Sequence, residues 1–449
     1  MTTRRETREL EFRGERGARG PSTWGQRHIW TTLQVTRPHD TRFNLALSAQ
    51  VPEGRSLDDV LAALRLLVER HESLRTTFDE RDGYPPAQTV ASRGRMTVSV
   101  EHLDGPGEQD PAARVWSEAA SHHFDIASHW PVRFLVFVYQ GRPLQVGAAL
   151  SHMAVDILGG DLLKRDLEDL LSGAAGKPGS TARAHQPLDE AAHEQSDAGR
   201  EALTRTLGLW RSAIEGAPPL FPSATRPYSG ARYPSGTLYA KGLGRRVKQA
   251  ADRLKVRSSA FFMAATAAAL TRHAGADSCA LTITCANRTS ARTLDYVGTI
   301  AQQGLLVLDS LGPSLHDTVR RTWPALLRAH QYSRYDQGAL DRLGAELAGR
   351  RDLDFEQTQH YVNFSEETTP IRGPEGFPDL ADGEVVYQEG TPVTGTPLKF
   401  GMRLGTDGDD AYIRVFADRH YLDGKAVRGI LDETNRLLQS GAAGDVSYS

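Results

Sequence analysis

The sequence predicts an α+β protein built as two comparable halves, and three observations carry that reading. First, 449 residues with 39% apolar and 24% charged side chains have the composition of a folded chain and the length of two or three domains of roughly 100 to 200 residues each. Second, short runs of β-branched and aromatic residues alternate with longer segments whose apolar residues recur at helical spacing. Third, residues 172–198, rich in Gly, Ala, Ser and Pro, lack hydrophobic periodicity and read as a linker. The expected organisation is a flexible tail over 1–20, a first lobe over 21–175, a linker over 176–198 and a second lobe over 199–449.

The tail mixes six arginines with four glutamates and lacks the apolar core of a secretory signal. Trp24, Ile29, Trp30 and Leu33 mark a Ser-capped helix over Ser22 to Gln34, and Phe43 to Val51 alternates as a strand. Ser56 and Asp59 form a capping-box pair before Val60, Leu61, Leu64, Leu67 and Val68, which share one helical face. Two strands, RFLVFVY from Arg133 and LQVGAAL from Leu144, flank a turn at Gln140 to Pro143, and a helix follows over Gly160 to Leu171.

In the second half, helices are expected near Arg200 to Glu215, at Ser258 to His273, from Ser314, where Pro324 is placed to kink the helix, and over Lys425 to Gln439. Strands are expected at Thr237 to Gly242, Cys279 to Cys285, Gln359 to Phe364, Leu398 to Leu404 and Tyr412 to Ala417. Along an extended strand, Cys279 and Cys285 would lie roughly 20 Å apart, too far for a disulfide, so free thiols and a reducing cytoplasm are expected. The longest apolar run, Ala260 to Leu270, is too short for a membrane span of about 30 Å. With 53 basic against 56 acidic residues and a formal charge of −3, no global field argues for nucleic acid or a membrane surface.

Common enzyme signatures are absent: there is no GxSxG, P-loop, HExxH, paired CxxC or GxGxxG motif. His122 and His123 sit where a helix ends and read as structural. Ser151-His152-Met153-Ala154-Val155-Asp156 falls where a buried strand gives way to a helix, the place where α/β folds position chemistry. The His-x3-Asp spacing alone is uninformative, since His185 to Asp189 and His193 to Asp197 repeat it.

A series of segments in order resembles the condensation domain of nonribosomal peptide synthetases, a branch of the chloramphenicol acetyltransferase-like superfamily. It comprises STWGQRHIW at Ser22, FNLAL at Phe43, RHESLRTTF at Arg70, SHMAVDILGG at Ser151 in the place of HHxxxDG, LGLWRSAIEGAPPL at Leu207, ANRTSARTLDYVG at Ala286 and AHQYSRYD at Ala329. The resemblance implies two chloramphenicol acetyltransferase-like lobes in a V-shaped pseudo-dimer with a central tunnel. It also implies His152 as the catalytic residue and Asp156 as a structural anion paired with an arginine, Arg288 by first choice and Arg75 by second. Ser151, Ile157, Gly159, Gln302 and Asn363 would line the motif and tunnel. The implied reaction joins a carrier-bound acyl, aminoacyl or peptidyl thioester to an amine or alcohol. An imidazole with a reference pKa of about 6.5 suits the proton acceptor such a reaction needs.

The partners implied are acyl or peptidyl carrier proteins acting in trans and a small-molecule acceptor, in antibiotic or other natural-product biosynthesis, with no nucleic acid or membrane. The phosphopantetheine arm would belong to the carrier; no cofactor of the chain's own and no metal is expected. The chain carries no GGxS carrier signature, so a free-standing condensation enzyme is the leading expectation. Ser151 replaces the first motif histidine and Ile157 the glycine, whose backbone freedom Gly159 and Gly160 could supply two residues on. Serine there is also met in cyclising terminal condensation domains, whose downstream tyrosine is Leu171 here. Two other readings stand beside the first: an acyl-CoA-dependent acyltransferase, and a non-catalytic docking platform for carrier-bound peptides.

Overall fold

The computed structural model of the chain describes residues 4–79, 86–105, 110–173, 185–216, 218, 220–221, 227–351, 360–366, 378–390, 392–393, 398–444 and 447–448. It divides into two compact units, Met1–Glu201 with Ala286–Ala301, and Ala202–Cys285 with Gln302–Ser449. The boundary falls within a helix near the expected one. The return of residues 286–301 to the first unit departs from the simple halves read from the sequence.

The first unit contains, in order, β1 (Arg4–Arg13), β2 (Ala18–Pro21), α1 (Trp24–Thr36), β3 (Leu45–Gln50), α2 (Leu57–Arg70), β4 (Thr76–Asp79), β5 (Ala87–Val90), β6 (Arg93–Leu103), α3 (Pro111–Ser121), β7 (Val132–Tyr139), β8 (Arg142–Leu150), α4 (Ile157–Ser172) and α5 (Pro187–Glu194). Its main sheet has the order β1-β6-β7-β8-β3, and β2-β5-β4 form a small second sheet. Strand β7 shows why FLVFV, residues 134–138, is apolar throughout: both of its faces are covered. Phe134 and Val136 pack in the core formed with Leu64 and Leu67 of α2 and Leu163 and Leu167 of α4. Leu135 and Phe137 meet Val115 of α3 on the other side.

The expected tail is instead an edge strand. β1 pairs antiparallel with β6 from Arg4↔His102 to Arg13↔Arg93, burying Leu10 and Phe12 on the core face. Arg16 then clamps Glu72 through two hydrogen bonds of 2.7 and 2.8 Å and reaches Asp189 at 2.7 Å. The alternating charges are the solvent face and rim of a strand, and they hid the two apolar anchors.

The linker expectation is likewise corrected where it is described. Residues 174–184 lie outside the described residues, but α5 is a helix whose Glu190 and Glu194 are buried. Thr23, not Ser22, caps α1, with Gln26 completing a capping box; Ser56 and Asp59 form the box that opens α2.

The second unit runs from α6 (Asp197–Gly216) through β9 (Ser235–Ala240), α7 (Leu243–Leu254), α8 (Ser258–Ala274) and β10 (Cys279–Cys285). The short α9 (Ala291–Leu294) belongs to the returning segment. Then come β11 (Gln302–Leu308), α10 (Leu315–Gln331), α11 (Gln337–Arg351), β12 (His360–Glu366), β13 (Val385–Gly390), β14 (Phe400–Asp407), β15 (Asp410–Ala417) and α12 (Gly424–Ala443). The sheet order is β11-β10-β12-β14-β15-β9-β13. One face carries α7, α8, α10 and α12; α8 is buried at every position from Ala260 to Thr271. Trp210 of α6 and Leu340 and Leu343 of α11 cover Ala280 and Leu305 on the other. Cys279 and Cys285 are free and buried, and burial pushes both thiols up to about 12. Among the described residues no helix is long and apolar enough to cross a membrane.

Candidate functional site

The site is built on the turn between β8 and α4, inside the first unit. β8 ends at Leu150, buried with its neighbours. The Ser151 amide donates to the Pro131 carbonyl at 2.9 Å, and the Ala154 amide closes a turn on the Ser151 carbonyl at 2.9 Å. His152 is thereby presented on a tight turn rather than on a mobile loop.

Its backbone is braced from residues 286–301: Thr299 Oγ1 donates to the His152 carbonyl at 2.5 Å. The imidazole is half-buried, and its Nδ1 is enclosed with no hydrogen-bond partner beyond its own residue. Burial lowers its pKa below the usual 6.5, and the nearby Asp156 carboxylate opposes that shift only in part.

Asp156 caps α4, accepting from the Gly159 amide at 2.9 Å. The helix therefore begins at Ile157, three residues before the start read from the sequence. The same carboxylate accepts from Arg288 in bidentate fashion, at 2.7 and 3.0 Å, and from the amides of Ile300 and Ala301 at 3.0 and 2.9 Å. Both members of the pair are almost wholly buried, their side chains 3% and 6% exposed. Arg288 also donates to the carbonyls of Tyr296 and Gly298, so its guanidinium stitches the returning segment to itself as well as to α4.

Arg75, the second candidate for this pairing, is occupied elsewhere: it donates to the carbonyls of Val68, Arg16, Ala91 and Glu69. Its neighbours in RHESLRTTF are structural too, with Arg70 and His71 both on Asp166 at 3.2 and 2.7 Å.

Ile157 is the first residue of α4 and its side chain is 53% exposed, so a β-branched residue meets no obstacle there. The close approach falls at Gly159, where a Cβ would lie 2.8 Å from the Gly298 carbonyl oxygen and 3.1 Å from Arg288; Gly160 faces open space.

Ser151 is buried, and its Oγ accepts weakly from the Met153 amide at 3.3 Å. Gln302 departs from its expected place on a tunnel wall. It is buried in the second unit, and its amide donates to the Tyr335 carbonyl at 2.8 Å while accepting from the Tyr335 amide at 3.4 Å, an internal brace. Asn363 is half-buried on β12, opposite Arg403 of β14.

Sequence reasoning did not find Asn287, in the left-handed region at φ 59° with its side-chain amide on the Ile300 carbonyl. Nor did it find Tyr296, buried with its hydroxyl unpartnered, or the two backbone amides that hold Asp156. An asparagine, which tolerates the left-handed region better than most residues, is a faint hint in the sequence; backbone donors leave none.

Solved structures that share this fold include condensation domains and an X-domain. The condensation domain of the monacolin K polyketide synthase MokA superposes with a TM-score of 0.68 at 18% identity, covering 95% of this chain and 98% of that one. The X-domain from teicoplanin biosynthesis gives 0.66 at 20%, covering 96% and 97%. At these identities the likeness is one of fold.

The condensation domain model matches residues 21–367, well over half the sequence, and the chain belongs to the condensation domain family. Among curated relatives, the isonitrile lipopeptide synthase of Mycobacterium tuberculosis is 31% identical over 143 residues, 32% of this chain and 6% of that protein. The fusarin C synthetase of Gibberella moniliformis is 24% identical over 288 residues, 62% and 7%. A phosphinothricin tripeptide synthetase of Streptomyces viridochromogenes is 28% identical over 208 residues, 44% and 19%. The chain thus spans a small part of the length of each. Nonribosomal peptide synthetase condensation domains work with thioesters on the phosphopantetheine arms of partner carrier proteins.

Proposed function

We propose that this chain joins a carrier-bound acyl or peptidyl thioester to an amine or alcohol, with His152 as the group that orients or deprotonates the nucleophile. The observation that carries the reading is the state of His152: an imidazole whose charged form is disfavoured by burial, on a turn whose backbone is braced by the Thr299 hydroxyl on the His152 carbonyl and by the Asp156–Arg288 pair. The acceptor nitrogen or oxygen attacks the thioester carbonyl and the new C–N or C–O bond replaces C–S. The proton lost by the nucleophile passes through the imidazole to the departing thiolate. With the proton on Nδ1, Nε2 would carry the lone pair this transfer needs. Because Asp156 occupies the Gly159 amide, that N–H is removed from the possible oxyanion donors.

The test is mass spectrometry of an acyl-loaded carrier protein incubated with the chain and a panel of amines and alcohols, beside His152→Ala. Release of acyl product, lost in the variant by at least about a hundredfold, is the expected result. An unchanged carrier together with measurable carrier binding would replace this reading with a docking platform. Since protonation removes the acceptor lone pair, the rate should fall on the acid side with a midpoint below 6.5.

A further inference from the structure

Against the C-terminal half of α1, the first unit carries a small cleft that the chemistry at His152 does not account for. Trp30 and Leu33 of α1 and Phe124 and Ile126, which follow α3, form its apolar walls. Asp40, His123 and Ser151 supply polar groups at its edge. Ser151 precedes His152 directly, so the two Cα atoms are about 3.8 Å apart and the cleft adjoins the turn that carries the proposed base.

Asp40 is the unusual member. Its side chain is only 12% exposed, and among the described residues His123 is the one side chain paired with its carboxylate, through Nδ1 at 2.8 Å. An ionised carboxylate offers about four acceptor positions, so one imidazole leaves most of them unfilled, and apolar walls raise the cost of leaving them so. His123 is 52% exposed and orients the carboxylate from the solvent side. Asn44 fixes that corner by donating to the carbonyls of Ala119 and His122 at 2.9 and 2.7 Å. Arg37 also lines the cleft and has a partner of its own.

We infer that this cleft is an ammonium subsite, in which Asp40, oriented by His123, receives a protonated amino group of the substrate. An ammonium brings three donors and the opposite charge, where a hydroxyl brings one donor and none. A nitrogen held there as an ammonium has no lone pair and does not itself attack. Resting on the proposed condensation, the inference therefore specifies an acceptor with two functional groups, a short diamine or amino alcohol, one end bound at Asp40 and the other reacting at His152.

Calorimetric titration of the full chain with n-butylamine and, separately, butan-1-ol tests the subsite without carrier or turnover. The amine should bind at least about tenfold more tightly, and both Asp40→Asn and His123→Lys should erase that preference. The second variant alters a half-exposed side chain and sets a fixed cation beside the carboxylate, so it decides the matter if Asp40→Asn fails to fold. Equal binding of the two probes, or an amine preference that survives in a folded variant, would overturn the subsite. An amine preference without any condensation would keep the subsite and retire the proposed reaction instead.

Discussion

Asp156 does three jobs with one carboxylate: it caps α4, neutralises Arg288 and collects the amides of Ile300 and Ala301. A buried pair of this kind adds little net stability over an apolar replacement, but removing one partner strands the other charge. Asp156→Ala should therefore lower unfolding free energy by about 3 to 5 kcal/mol in denaturant titrations. Asp156→Asn should recover little, because its amide nitrogen would face Arg288 or backbone donors. His152 adds a pH term of definite sign. Its folded pKa lies below the usual 6.5, so as pH falls the unfolded chain takes up this proton first. The stabilising effect of keeping it neutral is complete above about 6.5 and diminishes as pH drops toward the folded value. At this scale the sequence was informative where a motif names a side chain with one obvious partner, as with Asp156 and Arg288. It misplaced Gln302, because a glutamine's backbone partner, here Tyr335, is fixed only by the register of strands.

Elements were legible where both strand faces or a helical stripe are apolar, as in β7, β8, α2 and α8, and hidden where burial is carried by a few residues among charges. β1 illustrates the second case: RRETRELEFR buries Leu10 and Phe12, the latter edge-on to Trp130 with centroids 5.5 Å apart. Phe12→Ala should cost about 3 to 5 kcal/mol in thermal or chemical unfolding; in a mobile tail it would cost nothing. α5 was concealed in the same way, its buried Glu190 bonded to His185 at 2.6 Å and Arg292 at 3.1 Å. The start of α4 supplies a paired comparison. Gly159→Ala should destabilise by about 1 to 3 kcal/mol, since its methyl group would press on the Gly298 backbone. Gly160→Ala, in open space on the same helix, should be neutral or stabilising by up to about 1 kcal/mol. Equal effects at the two positions would mean that the approach of α4 to Gly298 is not tight.

At the scale of the whole molecule, the chain leaves the second unit after β10, contributes residues 286–301 to the first unit and returns at β11. No composition shift announces this, because a segment of sixteen residues that returns to the first unit looks in sequence like any connection between two strands. Its consequence is that the first unit is incomplete as residues 1–201. Such a fragment would lack Arg288 opposite Asp156, the brace from Thr299 to His152 and the Ile300 and Ala301 amides. It would also lack Val297, which packs in the first core, and the backbone of Thr299 and Gly298 against which Gly25 and Gly159 sit. The fragment 1–201 should therefore show weakened cooperativity in thermal unfolding and a loosened 151–160 turn in hydrogen exchange. A second version with residues 286–301 joined through a flexible linker should regain both, and Arg288→Ala within the linked segment should cancel the gain. If 1–201 alone unfolds as cooperatively as the linked version, the returning segment is an accessory to the first unit rather than part of its fold. The rigidity of the His152 turn would then have to come from β8 and α4 alone.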